Sequence, residues 1–384
     1  MHLSLSTRFD ANVEDNTLLE SLASRPAVFA LLFAEGEEGA APPYLGRTTD
    51  LRRRLGRLLT SSGGISKLLN LREVTRRIEY QYVGSSFEAQ WLLYRLNKFY
   101  YPRLYRQRLR LKSPALLKLN LRNRFPRCYP TRRLASDGSL YYGPFPSWLA
   151  AERFAAEFLD LFKIRRCVEE LDPNPAHPGC IYSQMHLCLA PCFAGCTDDE
   201  YQQEVARVTA FLDTEGQALL RSLEAERAQA AEALEFELAA KLHRRLEKVH
   251  EVLRQRPGLV RNLLDLHAVL VLRGAEPQSV VFFRLSAGEV RGPATLSLNQ
   301  DMPSPVPLDL QLHALLDPLA GPRNSAAALP PAEHLSLVAR WYYSSFRQGE
   351  ILMLPASQQI PHARLIRLCR KVLAETPRKT RPVL

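Results

Sequence analysis

The run from Asp198 to about Leu253 has room for little but helix. Leu238, Leu242, Leu246, Val249 and Leu253 recur at spacings of 4, 4, 3 and 4. That pattern makes one stripe on a helix but scatters over both faces of a strand. Pro257-Gly258 ends the run. Within it, "EAERAQAAEALEFELAAKLHRRLEKV" is predicted to fold as two short antiparallel helices. Ala-rich helices of that size are marginal alone, so the hairpin needs a packing partner.

The flanks read differently. "PAVFALLF" is a short apolar run opening at Pro26, and Tyr44 lies on the returning strand of a hairpin. Thr48-Thr49-Asp50 is placed to cap the helix "LRRRLGRLLT", and Gly63-Gly64 breaks the pattern that follows. Ile78–Val83 alternates as a strand. Ser85 and Ser86 start a helix with Glu88 in its first turn, and Pro102 stops it just after Tyr100. A helix is expected from Trp148 to Phe162. "AVLVLRG" and "SVVFFRLSAGEV" read as strands with a turn near Ser286–Gly288. The proline-rich "DMPSPVPLDL" and "LLDPLAGPRNSAAALPPAEH" read as loop and linker. A basic helix and tail close the chain. The expected class is α+β with several domains, as the 384-residue length allows.

Charge is unevenly spread. From Ala89 to Ser136 there is no Asp or Glu, while Arg95, Lys98, Arg103, Arg106, Arg108, Arg110, Lys112, Lys118, Arg122, Arg124, Arg127, Arg132 and Arg133 all fall there. These thirteen cations exceed the net charge of +11, so the rest of the chain is slightly acidic. A solvated face normally mixes both signs, so the segment points to a polyanion, with nucleic acid first. Tyr94, Tyr100, Tyr101, Tyr105 and Phe125 are interleaved, as stacking groups would be.

No apolar run approaches the ~18 residues that span a bilayer. The N-terminus has no basic n-region followed by an apolar stretch, so a cytoplasmic protein is expected. Cysteines there favour metal or free thiols over disulfides. Cys167, Cys180, Cys188 and Cys192 are spaced C-x12-C-x7-C-x3-C, which suits tetrahedral zinc or an iron–sulfur cluster alike. Cys196, His177 and His186 lie close by in the sequence. Cys128 and Cys369 are isolated and read as structural.

Three features in order resemble UvrC, the C subunit of the UvrABC excinuclease. The first is a GIY-YIG-like half: "PAVF", "YLGRTTDLRRRL", "EAQWLLYRLNKFYYPRLY" and "DGSLYYGPF". The second is "IRRC" with "CIYSQMHLCLAPC" and "DDEYQQEV". The third is "AEALEFELAAKLHRRLEKV", which looks like a UVR motif. The resemblance implies a degenerate GIY-YIG-like nuclease domain at 24–105, a basic and cysteine-rich region at 106–200 and a UVR hairpin at 210–255. A small α/β C-terminal remnant at 260–384 would lack the family's RNase H-like endonuclease.

Carried over residue by residue, the resemblance places Tyr44, Arg47 and Arg54 at nuclease positions. The other three positions are degenerate. Phe29 stands where a tyrosine is expected, Leu93 where the metal-binding glutamate is expected, and Tyr105 where an asparagine is expected. Glu88 lies five residues from Leu93, about 140° round the helix. A hard divalent cation needs oxygen ligands, so incision is expected to be weak or lost. Arg52, Arg53, Arg103, Arg106, Arg108 and Arg110 are the expected DNA contacts. The four cysteines would hold a [4Fe–4S] cluster, with zinc the alternative. Leu234, Phe236 and Ala240 would dock a UvrB-like helicase. Two other functions stay open: a metal-dependent endonuclease making one incision near a lesion, and a nucleic-acid-binding module outside repair.

Overall fold

The computed structural model describes residues 2–9, 20–33, 41–59, 71–298, 306–320 and 329–375. Gly63-Gly64 and the basic tail lie outside them.

The apolar run after Pro26 forms β2 (Ala27–Leu32), the most buried strand of a four-stranded sheet ordered β1-β4-β2-β3. Its neighbours are β3 (Tyr44–Thr48) and β4 (Arg77–Tyr82), with β1 (Leu5–Arg8) on the far edge. Phe29 pairs with Gly46 and Leu31 with Tyr44, as the hairpin reading requires. Strand alternation sends the two faces of β2 to different helices. Phe29 and Leu31 pack with Leu51, Leu55 and Leu59 of α1 (Leu51–Leu59). Val28 and Ala30 pack with Ala89, Leu92 and Leu96 of α2 (Ser86–Tyr100). Asp50 caps α1 by accepting from Arg53 N at 2.9 Å, and Ser85 caps α2 by accepting from Glu88 N at 3.2 Å.

The N-terminal unit differs from the expected 24–105 in two ways. It begins before residue 24, because Leu5 pairs with Tyr80. It is also not a free-standing domain. The outer face of α2 carries Phe87, Trp91 and Tyr94 into a core shared with a second antiparallel sheet near the C-terminus. That sheet is ordered β11-β10-β9-β12: β9 (Ala268–Arg273), β10 (Ser279–Ser286), β11 (Glu289–Ser297) and β12 (Glu350–Met353). Phe87 meets Phe283 edge-on at 5.0 Å between ring centroids, and Trp91 donates to the Gly292 carbonyl at 3.3 Å. A Cβ on Gly84 would collide with the Arg273 carbonyl and the Gly274 backbone, so glycine is required for this close approach.

A third sheet, β6-β5-β7-β8, holds the middle of the chain: β5 (Ala115–Leu119), β6 (Cys128–Thr131), β7 (Leu140–Phe145) and β8 (Arg261–Asn262). Against it pack α3 (Trp148–Leu159), α4 (Asp198–Asp213), and the hairpin α5 (Gln217–Glu232) and α6 (Phe236–Gln255). The C-terminal sheet carries α7 (Leu308–Ala320) and α9 (His362–Ala374) on one face and α8 (Ala332–Tyr342) on the other. Helix α7 corrects the expectation of a plain linker. Leu312 and Leu316 are fully buried there, and this packing outweighs the helix-breaking tendency of Pro318 near its end. Among the described residues no helix is long and apolar enough to cross a membrane.

Candidate functional site

Folding sorts the thirteen cations of the acid-free segment into two sets. Three meet carboxylates from elsewhere in the chain. Arg106 Nε lies 2.5 Å from Glu333 Oε1, Lys118 Nζ 2.5 Å from Asp137 Oδ2, and Arg124 grips Asp198 through two bonds of 2.7 and 2.9 Å. The other ten have no carboxylate partner among the described residues. Arg108 is committed differently: it donates to Asn97 Oδ1 at 3.0 Å and lies 3.8 Å over the Tyr101 ring. Arg103, Arg110, Lys112, Arg122, Arg132 and Arg133 are exposed. Arg103 and Arg110 are thus available to phosphate as expected, while Arg106 and Arg108 also serve the fold.

The expected stacking aromatics are mostly inside. Tyr94 and Phe125 are buried, and the Tyr105 hydroxyl donates to Glu333 Oε1 at 2.9 Å. Phe99 is the exposed aromatic, at 58%, one helical turn from Arg95. Sequence reasoning missed it. The i, i+4 spacing of Arg95 and Phe99 beside Lys98 was the available signal.

Among the described residues strand β3 is the edge of its sheet, with α1 on one face of the sheet and α2 on the other. Tyr44 on that edge is half-buried, and Arg54 Nη2 of α1 approaches its hydroxyl at 3.4 Å. Arg47 is exposed on the same strand. Surrounding protein and the charge of Arg340 both pull its guanidinium pKa down. Arg53 is exposed, and Arg52 donates through Nε to the Leu22 carbonyl at 2.6 Å. Phe29 is fully buried, with its ring centroid 6.2 Å from that of Tyr44. Leu93 is half-buried and packs on the apolar cluster of Val28, Ala30 and Leu45. Glu88 turns back on its own helix start, accepting from Gly84 N at 3.0 Å. Burial pushes the Glu88 carboxyl pKa up to about 7.

The four cysteines lie in one loop region after α3. Cys192 is buried and the other three are half-buried. Burial pushes the Cys188 thiol up to about 11, and the charges of Cys167, Cys180 and Cys192 add to the rise. The backbone closes the loop: Asn174 N donates to the Cys192 carbonyl at 2.9 Å and Leu189 N to the Lys163 carbonyl at 2.9 Å. Ala190 N donates to Cys188 Sγ at 3.3 Å, and Arg165 Nη1 to Cys167 Sγ at 3.6 Å. Among the described residues no three His, Cys, Asp or Glu side chains form a group able to hold a metal ion.

The α5–α6 hairpin has a buried base and a bare tip. Leu219, Leu220, Leu223, Leu242, Leu246 and Val249 join the core of the middle sheet, so the helices are stabilised within the chain. At the turn Leu234 adopts a left-handed φ of 58°. Leu234 and Phe236 are each 69% exposed, Leu238 is 43% exposed, and Ala240 is exposed too. Apolar residues gathered at a protruding tip mark an interaction site rather than a solvated turn.

Residues 115–211 match the family described as UvrC/Cho excinuclease, middle domain, and residues 217–252 match the UvrB/uvrC motif. Over these residues the chain is similar to UvrC proteins. It is 28% identical over 250 residues to the UvrABC system protein C of Methanothermobacter thermautotrophicus, covering 65% of this chain and 42% of that protein. It is 32% identical over 250 residues to that of Serratia proteamaculans, covering 65% and 39%. With that of Acidobacterium capsulatum the identity is 33% over 236 residues, covering 61% and 36%. The chain therefore spans about two fifths of the length of the curated relatives it matches. No solved structure matches it. The middle-domain match runs from β5 into α4 and takes in all four cysteines. The motif match covers the α5–α6 hairpin and its tip.

Proposed function

We propose that this chain is a DNA-binding nucleotide excision repair factor of the UvrC type that docks a UvrB-like helicase and cuts DNA weakly or not at all. The observation that carries the reading is the exposed tip Leu234–Phe236–Leu238 at the end of a hairpin that matches the UVR motif. Burying a large apolar side chain contributes about 1.5–3 kcal/mol, so two or three at a hairpin tip suffice for specific docking. The DNA surface is the set of unpaired cations between Arg95 and Arg133, with Arg47, Arg52 and Arg53 at the edge of the N-terminal sheet.

Loss of incision rests on Leu93, Phe29 and Glu88. At the expected metal position Leu93 offers no oxygen. Phe29 has no hydroxyl. Glu88 is occupied by its own helix start. The rival reading, a live endonuclease, draws on the Tyr44–Arg54 contact, which still pairs a hydroxyl with a cation at the β3 edge.

On their spacing and the family resemblance alone, Cys167, Cys180, Cys188 and Cys192 would hold a [4Fe–4S] cluster, with zinc the alternative; among the described residues they do not form a group able to hold a metal ion.

The test uses this chain, a UvrB-like helicase from the same organism and a lesion-bearing duplex. The expected result is co-elution of the three without Mg²⁺- or Mn²⁺-dependent nicking above background. Nicking by the unmodified chain that Arg54→Ala abolishes would establish the endonuclease reading. Failure to associate with the helicase would overturn the docking role.

A further inference from the structure

The start of the basic segment is strung between strand β3 and helix α8. The Tyr101 hydroxyl donates to the Pro43 carbonyl at 2.7 Å, one residue before β3 begins. Further on, three residues of α8 hold the segment. Glu333 Oε1 accepts from the Tyr105 hydroxyl at 2.9 Å, Ser336 Oγ donates to the Lys112 carbonyl at 2.5 Å, and Arg340 Nη2 donates to the Arg110 carbonyl at 3.1 Å. Glu333, Ser336 and Arg340 stand at i, i+3 and i+7, so one face of α8 meets the segment.

Arg340 brings more to that face than a carbonyl needs, since the Ser336 hydroxyl does the same work without a charge. Arg340 is exposed and has no carboxylate partner among the described residues. Glu333, two turns back, is taken by Arg106. Arg47 on β3 is likewise exposed and without a carboxylate. Strand alternation puts Arg47 on the same face as Leu45, which packs against α2 beside Leu93. Helix α2 supplies no free acid there, because its one carboxylate, Glu88, accepts from Gly84 N. The two guanidinium groups feel each other: after burial, the charge of Arg340 is what pulls the Arg47 pKa down. Two cations held within Coulomb reach repel, and an anion seated between them turns that repulsion into attraction.

We infer that Arg340 and Arg47 form a two-arginine grip on one backbone phosphate of bound DNA, so that α8 completes the phosphate surface at the β3 edge. A guanidinium fork suits the paired oxygens of a phosphate. Arg340 has donors for both tasks: one N–H holds the Arg110 carbonyl and the rest face the anion. The first task fixes the segment where Arg110 adopts a left-handed φ of 49°, a conformation arginine seldom takes. The inference rests on the DNA-binding reading. It adds a contact outside the acid-free segment and places one duplex against both the N-terminal sheet and α8.

The test is a salt series of fluorescence anisotropy on a labelled duplex with the full chain, alongside thermal unfolding. Each phosphate neutralised contributes about 0.9 to the slope of log affinity against log salt. Arg340→Gln and Arg47→Gln should each weaken binding and lower the slope by less than about 0.9, because the other arginine still holds the phosphate. The double variant should lower it by about 0.9, which over a fourfold rise in salt spares it about a 3.5-fold loss of affinity. Arg340→Lys should keep the slope while weakening binding, because an ammonium keeps the charge and cannot fork. Ser336→Ala cuts a neighbouring tie to the same segment without removing a charge, so its slope should match that of the unmodified chain. An unchanged slope in Arg340→Gln overturns the inference, and so does a double variant that loses about 1.8, the sum of two independent contacts. A fall in Ser336→Ala equal to that in Arg340→Gln assigns the effect to the shape of the segment and overturns it too. These failures leave the DNA-binding reading standing, whereas an unmodified chain that shows no salt-dependent binding of duplex refutes that reading and the inference with it.

Discussion

Replacing Arg103, Arg110, Arg122 and Arg133 together by Gln should flatten the salt dependence of DNA binding far more than replacing Arg106, Lys118 and Arg124. The difference follows from who holds each side chain. The first four are exposed with no carboxylate partner among the described residues, while the other three are neutralised by Glu333, Asp137 and Asp198. Each phosphate contact contributes about 0.9 to the slope of log affinity against log salt. If all four free arginines touch phosphate, the slope falls by about 3.6. Over a fourfold rise in salt, that spares the variant about a hundredfold of the affinity loss seen in the unmodified chain. The paired set should change the slope by less than about one contact's share. Its main effect should be on stability, since each change strands a carboxylate. Fluorescence anisotropy on a labelled duplex across a salt series reads the slope, and thermal unfolding reads the stability. An unchanged slope in the fourfold variant, or an equal drop in the paired set, would refute the sorting of these cations.

Three further outcomes can be measured. Leu93→Glu should leave DNA affinity nearly unchanged and add measurable Mn²⁺ binding by calorimetric titration, yet produce little nicking, because Phe29 still lacks a hydroxyl. Efficient nicking by that single variant would mean the buried Phe29 is no obstacle. Glu88 has a folded pKa of about 7 against an ordinary value of 4.5, so folding takes up a proton between those values and stability falls as pH rises through that window. Glu88→Gln should remove this slope and stabilise the protein above pH 7 by at most about 3 kcal/mol, which denaturant titrations at pH 5 and 8 would reveal. Trp91→Ala should cost about 3–5 kcal/mol and loosen the seam between α2 and the C-terminal sheet, where Trp91 packs on Phe283 and His334. Hydrogen exchange that leaves the C-terminal sheet as protected as before would contradict that packing.

Local signals in the sequence carried over well where they were sufficient. Pro26 and the apolar run after it placed β2. The Ser85-x-x-Glu88 box and Pro102 bracketed α2 within a residue or two. The apolar stripe from Leu238 to Leu253 located the buried face of α6 at Leu242, Leu246 and Val249, while its first member, Leu238, is 43% exposed near the hairpin tip. Long-range partners were not legible. Nothing near Arg106 foretells Glu333, 227 residues away, so the segment read as uniformly free charge when part of it is neutralised in the fold. The edge strand β1 is exposed and polar, with no alternation to announce it; it exists because β4 offers a free edge. Helix α7 was hidden by prolines whose local cost is outweighed by the burial of Leu312 and Leu316. At the candidate sites, the sequence pointed to the hairpin tip, whose Leu234 and Phe236 are exposed, and to four cysteines that share one loop without forming a metal-holding group among the described residues. It missed Arg340, which is joined to the basic segment through a backbone carbonyl, and a carbonyl leaves no mark on residue type.

The docking claim is tested most directly by titrating this chain with the C-terminal hairpin of a UvrB-like helicase from the same organism and comparing Phe236→Ala. Phe236 is mostly exposed and at the start of α6, so its loss should leave hairpin helicity and thermal stability unchanged. Saturable binding that weakens by about thirtyfold or more, the equivalent of about 2 kcal/mol, is the predicted result. No binding by the unmodified chain, or binding that Phe236→Ala leaves intact, would contradict it.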